Sequence, residues 1–219
     1  MKPLTLYAHA VRRLLSHGSV LVVRPVKPQP PQEYRLWGPV FDGYAAWTTH
    51  PTQGEKGEIV EMHCPLGVPG TEHWARETWR RTTPDLPNGL EYRADGLLRW
   101  FDGSDEQAAL ASVTYPRDGR WRSPVIMPAW ASRFSHLTVG EVRCVRLSEL
   151  SADDARSTNP PDVVAHQLWP TIADWHPLDA MQLNWTERYG ELYPWPGAWA
   201  WAVVLTVQPD SPAKEESQL

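Results

Sequence analysis

The sequence predicts an α+β fold, mainly β, built as a small β-barrel with short helices packed over its rim. Three observations point there. The 219 residues include 22 prolines, and proline fixes φ and removes a donor, so long helices cannot dominate. Strand-like apolar runs at 20–23, 137–147 and 199–207 are widely separated and lie both early and late in the chain. Helix-like periodicity is confined to short stretches.

Residues 5–16 read as the first helix, with Leu6, Ala10, Val11, Leu14 and Leu15 to one side and Arg12 and Arg13 to the other. Gly18 stops it. Residues 20–23 form a buried strand, and the prolines of 24–31 then force the chain out of the sheet. The Pro-, Gly- and Thr-rich stretch 28–56 reads mostly as a loop insertion. A strand at 57–63, a tight turn at 64–70, a strand at 74–79, a turn or insert at 82–89 and a short strand at 90–93 follow. The polar stretch 102–120 is a second, peripheral insertion. The long strand 137–147 loses its apolar phase between Val139 and Val142, which predicts a bulge near Gly140. Ser148 is placed to cap a helix over 148–156. Short helices are expected at 162–175 and 177–188. In 199–207, Trp199, Trp201, Val203, Leu205 and Val207 alternate with small residues, the period of a strand buried on at least one face.

Composition sets the class. Hydrophobic residues make up 42% and charged residues 21%, enough apolar surface for one domain over 1–207, with a polar tail at 208–219. No run reaches the roughly 18 apolar residues of a spanning helix. The first helix is broken by His9, Arg12 and Arg13 and lacks the apolar centre of a signal peptide. Two cysteines make no disulfide framework. The expected compartment is a reducing cytoplasm, with no membrane partner. A pI of 5.9 excludes a general nucleic-acid coat protein. The charge is unevenly spread: 1–32 holds Lys2, Arg12, Arg13, Arg24 and Lys27 and no acid, whereas 149–191 holds eight acids against Arg156 and Arg188. An anionic ligand is drawn to 1–32 and to the Arg-rich stretch 117–133, provided the fold joins them.

Read in order, the strings at 64–70 (CPLGVPG), 73–79 (HWARETW), 92–96 (YRADG), 121–133 (WRSPVIMPAWASR), 145–155 (VRLSELSADDA) and 199–207 (WAWAVVLTV) resemble the phage and prophage branch of ASCH-domain proteins. The resemblance implies a PUA-like barrel. It also implies binding of RNA, another single-stranded nucleic acid or a modified nucleobase, in the cytoplasm of a host cell if the chain is phage-encoded. One branch of that superfamily resembles an amidohydrolase acting on N4-acetylcytidine, and carries a Gly-x-Lys-Thr-x-Thr-x-Arg loop. Aligned on Arg24, that loop places Ser19 at the lysine and Val22 at the threonine, and the branch's acid falls near Thr158. The hydrolase's Lys, Thr and Glu are therefore missing, and a general base needs a titratable group within reach of its proton.

The remaining residues supply binding chemistry. On a strand, Trp74, Arg76 and Thr78 share one face and Ala75, Glu77 and Trp79 the other. Indoles stack on bases, Arg grips phosphate or a base edge, and a carboxylate such as Glu77 accepts from an exocyclic amine. Arg122, Trp130, Ser132 and Arg133 sit on a segment stiffened by Pro124 and Pro128, which suits a ligand rim. Arg24 and Lys27 are the basic anchors of the first block. Arg24, Trp74, Arg76, Glu77, Trp130 and Arg133 are expected to line one cleft. His63, Cys64 and His73 match no familiar zinc spacing, so neither metal nor cofactor is expected. The leading reading is a nucleic-acid or nucleobase binder. The alternatives are an amidohydrolase or ribonuclease using Glu77 as acid/base with Ser19 or Thr78 as helper, and a factor acting on a host protein through its Trp-rich surface.

Overall fold

The computed structural model describes residues 1–37, 43–48, 58–85, 89–100, 117–158 and 176–207. In chain order these form β1 (Lys2–Thr5), α1 (Ala8–His17), β2 (Ser19–Pro25), β3 (Arg35–Leu36), β4 (Tyr44–Thr48), β5 (Ile59–His63), β6 (Glu72–Arg76), β7 (Trp79–Arg81), β8 (Gly89–Tyr92), β9 (Leu98–Trp100), β10 (Leu137–Arg146), α2 (Ala152–Thr158), α3 (Pro177–Tyr189) and β11 (Trp199–Val207). The fold is α+β, mainly β.

The alternation in β11 organises the main layer. β11 lies inside a five-stranded sheet of order β1-β6-β10-β11-β2, antiparallel except for β1 beside β6. Its bulky residues Trp199, Trp201, Val203 and Leu205 enter the main core. The alanines 198, 200 and 202 enter a second core on the opposite face, under α2 and α3. Small residues there let helices carrying Ala155, Met181 and Trp185 approach the sheet closely. β2 repeats the division, with Val20 and Val22 on one side and Leu21 on the other. The expected bulge is present: β10 slips register against β11 between Val139 and Val142, so both valines reach the main core.

The main core is closed from the other side by α1 and by a three-stranded sheet, β3-β4-β5. Helix α1 ends where expected, at Gly18 in the left-handed region (φ +68°), whose N–H donates to Leu14 O. A third sheet, β7-β8-β9, packs Trp79, Leu90 and Tyr92 against Met127 and Ala131 of the proline-rich segment.

The ladders of the described residues form three open sheets. Several expectations need correction. The stretch 28–56 is not merely an insertion: β4 lies within it, and Trp47 is fully buried with its ring edge-on to Trp199 at 5.7 Å. The surrounding Pro and Gly residues hide a five-residue strand too short to dominate its window. The single strand at 74–79 is instead two strands in different sheets, because Ala75 belongs to the main core and Trp79 to the third. Arg24 and Pro25 remain paired with Trp201 and Ala200 rather than leaving the sheet, which Pro25 tolerates because β2 is an edge strand. The cap of α2 is Ser151, not Ser148. Ser151 Oγ accepts from the Asp154 N–H and the Asp154 carboxylate accepts from the Ser151 N–H, both at 3.0 Å. Residues 147–149 form a 3-10 turn that sends Leu147 and Leu150 into the second core. The helix expected at 162–175, the tail 208–219 and most of 102–120 lie outside the described residues.

The alanine face gives a direct test. Ala202→Leu inserts three carbons beneath α2 and α3 and should cost about 1–3 kcal/mol through overpacking. Leu205→Ala on the opposite face should cost about 2–5 kcal/mol through cavity formation. Urea denaturation of both variants measures the two effects.

Candidate functional site

The predicted site residues divide into two groups in the structure. Arg133, two residues beyond a 3-10 turn at Ala129–Ala131, makes a two-pronged ion pair with Glu77, Nε to Oε1 at 2.9 Å and Nη2 to Oε2 at 2.5 Å. Its Nη1 donates to Asp95 at 2.7 Å, and the guanidinium lies 4.3 Å from the Tyr92 ring centre. Glu77 is only 2% exposed. Burial raises its pKa, and Arg133 opposes that rise. The Glu77 N–H faces the Met127 sulfur at 3.3 Å, and Tyr92 donates to Ala131 O at 2.7 Å. Ser132 is buried and donates to backbone carbonyls of Ala75 and Phe134. Trp130 packs against the third core. Glu77, Ser132 and Arg133 thus staple the third sheet to the main layer, with Glu77 saturated by its arginine.

The second group surrounds an open cavity of about 520 Å³ at one end of the main sheet, within the usual range for small-ligand sites. Arg24 and Lys27 line it, with Tyr7, His63, Tyr189 and Trp201 as walls. Three elements converge here: the turn from β1 into α1 brings Tyr7, the end of β2 brings Arg24, and the end of α3 brings Tyr189. Arg24 Nη1 donates to the Tyr189 hydroxyl and Nη2 to Thr5 O, both at 3.1 Å, so one side chain spans the two edge strands of the sheet. Its guanidinium lies 5.4 Å from the Tyr7 ring centre, and Lys27 Nζ lies 5.3 Å from that of Tyr193. Among the described residues that line it there is no carboxylate.

Tyr7 and Arg24 also wall a smaller inner cavity of about 60 Å³. His9, Val22, Thr158, Asn184 and Arg188 lie around it. Arg188 sits 3.6 Å from the Tyr7 ring centre. The buried His9 ring stacks on Tyr7, and burial, then Arg188, Arg12 and Arg24, push its pKa down to about 3. Val22 and Thr158 both line this cavity.

The other expected residues lie elsewhere. Ser19 pairs with Thr206 at the far end of β2 from Arg24. Arg76 is laddered to Thr5, but its guanidinium lies over the Trp74 ring at 4.9 Å and it does not line the cavity. Arg122 pairs with Asp118 at 2.7 Å. His73 sets both ring nitrogens against backbone carbonyls, those of Lys2 and Leu66. The single expected cleft is therefore not formed: Arg24 and Lys27 belong to the mouth, and Glu77, Trp130 and Arg133 to the staple. Sequence reading missed Tyr7, His9, His63, Arg188, Tyr189 and Trp201. Only Arg188 carried a signal, as one of two cations in an acidic stretch. Compared with protein-family models, curated proteins and solved structures, the chain matches none, so a functional reading rests on this geometry.

Two tests follow from the charges. Arg133→Met leaves the Glu77 carboxylate buried and unpaired and should cost about 3–5 kcal/mol near neutral pH. Glu77 then has its folded pKa raised further above the unfolded one, so the deficit should shrink as pH falls and grow as pH rises; urea midpoints across pH show it. Glu77→Gln added to Arg133→Met should recover part of the loss. His9 protonates near 6.5 when unfolded but only near 3 when folded, so stability held above 6.5 drains as pH falls towards 3. The loss reaches about 2 kcal/mol near pH 5, and His9→Gln should lack that increment when the two proteins are compared at pH 7 and pH 5.

Proposed function

We propose that the protein binds single-stranded nucleic acid or a modified nucleobase at the mouth cavity, as the ASCH resemblance implies, without the hydrolysis of that family. One observation carries the reading. A cavity large enough for a nucleoside has aromatic walls and two cations, Arg24 and Lys27, and no carboxylate among the described residues of its lining. Aromatic faces stack on bases and cations meet the phosphates that flank them. The approach of the two sheet edges at Arg24 and Thr5 supports a PUA-like scaffold for this mouth. Glu77 is the carboxylate the hydrolase alternative needs, and its bidentate Arg133 partner and burial keep it from a substrate proton.

The test is fluorescence anisotropy with a labelled single-stranded RNA across a salt series. The wild-type chain should bind best at low salt. Lys27→Met should lower the slope of log K against log salt by about 0.7, the share of one phosphate contact on a single strand. Arg24→Met should weaken binding more, because it also loses its place beside Tyr7. If neither RNA nor single-stranded DNA binds at low salt, the reading fails; turnover of N4-acetylcytidine by the wild-type chain would overturn its non-catalytic part.

A further inference from the structure

We propose that Arg24 and Arg188, both packed on the Tyr7 ring, form a pocket for a terminal phosphate monoester, so that the mouth prefers a nucleotide or strand end carrying a phosphate over one with a free hydroxyl. This rests on the nucleic-acid reading and sharpens it to a ligand class.

The argument starts from missing compensation. Some half-buried arginines find carboxylates: Arg133 has Glu77 and Asp95, Arg80 has Glu91, and Arg143 has Asp154. Arg24 and Arg188, like Arg12 and Arg76, have no such partner among the described residues, and Arg24 and Arg188 share one ring, that of Tyr7. Among the described residues the oxygens that Arg24 meets are neutral, those of Tyr189, Thr5 and Tyr7, and Arg188 packs on the Tyr7 ring. Burial depresses the Arg188 pKa, and Arg24 adds to that; the acid acting on it, Glu187, is exposed on the neighbouring helix position. His9 beneath them is held neutral by its burial first, then by Arg188, Arg12 and Arg24. Two like charges kept together with no counter-charge among the described residues make a site suited to an anion.

Shape and charge select the anion. Two guanidinium forks match the oxygens of a phosphate, and a phosphate monoester carries about −1.5 to −2 at neutral pH, close to the charge of two arginines. The inner cavity of about 60 Å³ has the volume of roughly two waters, suited to a headgroup and too small for a base. Asn184 adds an uncharged hydrogen-bond donor to its wall; the Thr158 hydroxyl is already donated to Ala155 O. Tyr7 and Arg24 belong to both cavities, so a phosphate held on the inner side leaves its nucleoside facing the outer one.

The experiment compares two RNA oligonucleotides of one sequence, with a 5′-phosphate and with a 5′-hydroxyl. A parallel arm follows thermal unfolding with and without inorganic phosphate, at constant ionic strength set with chloride. The phosphorylated strand should bind at least about tenfold tighter, and phosphate should raise the melting temperature. In Arg188→Met the affinity ratio should fall to about one and the phosphate effect should vanish. Arg188→Lys, which keeps the charge and loses the fork, should retain a reduced ratio and serves if the methionine variant does not fold. Equal affinity for both strands, or a ratio that survives Arg188→Met, overturns the pocket while leaving the nucleic-acid reading intact. A phosphate effect that depends on Arg188, with no strand bound at all, supports an anion pocket for free phosphate and overturns both the nucleic-acid reading and the strand-end preference.

Discussion

A strand buried on both faces has to divide its bulk between them, and β11 does this by alternating residue size. Large side chains fill the core shared with α1 and the β3-β4-β5 sheet, while alanines admit α2 and α3 on the other face. Neither helix could sit so close over a face of leucines, since packed interiors hold few voids and little slack. The bulge in β10 answers the same demand from the neighbouring strand. One extra residue there restores the inward phase, so that Leu137, Val139, Val142 and Cys144 all serve one core. The positions of α1, α3 and the end of β2, and with them the mouth, follow from this layer.

Two treatments of cationic charge coexist on that frame. At the staple, Arg133 meets Glu77 and Asp95 and caps Tyr92, and the charges neutralise one another inside the protein. A buried pair of this kind contributes geometric definition more than net stability, because desolvation offsets much of the attraction. At the mouth and the smaller cavity beside it, Arg24, Lys27 and Arg188 face aromatic rings and neutral oxygens instead. Ring faces stabilise a cation without cancelling its charge, so the field of the mouth stays positive in a chain of net charge −5.

Local pattern made some of this legible in the sequence. The first helix and its glycine stop, the long strands, the bulge and the alternation in the last strand all rest on short-range rules of periodicity and phase. The reading failed where two distant cores compete for one short segment. Residues 74–79 alternate as one strand would, and nothing local says that Ala75 and Trp79 serve different cores. Trp47 lies in a stretch whose turn formers outnumber its strand formers, and only tertiary packing rescues it. For the site, the charge asymmetry of 1–32 pointed to Arg24 and Lys27. The second Arg-rich block was legible as cationic, but not as compensated, because Glu77 lies 56 residues from Arg133. Tyr7 and Tyr189 were invisible: a tyrosine at a helix end has no sequence mark separating a cavity wall from an ordinary surface ring.

The contact from Arg24 to Thr5 gives the molecule a seam latched by a side chain in place of a backbone ladder. A guanidinium offers five N–H groups; the latch and the Tyr189 hydroxyl occupy two of them, and Tyr7 is a further partner. Those that remain can receive a guest while the seam stays shut. Holding the sheet's two margins together and gripping what enters between them are thus compatible duties of one planar group.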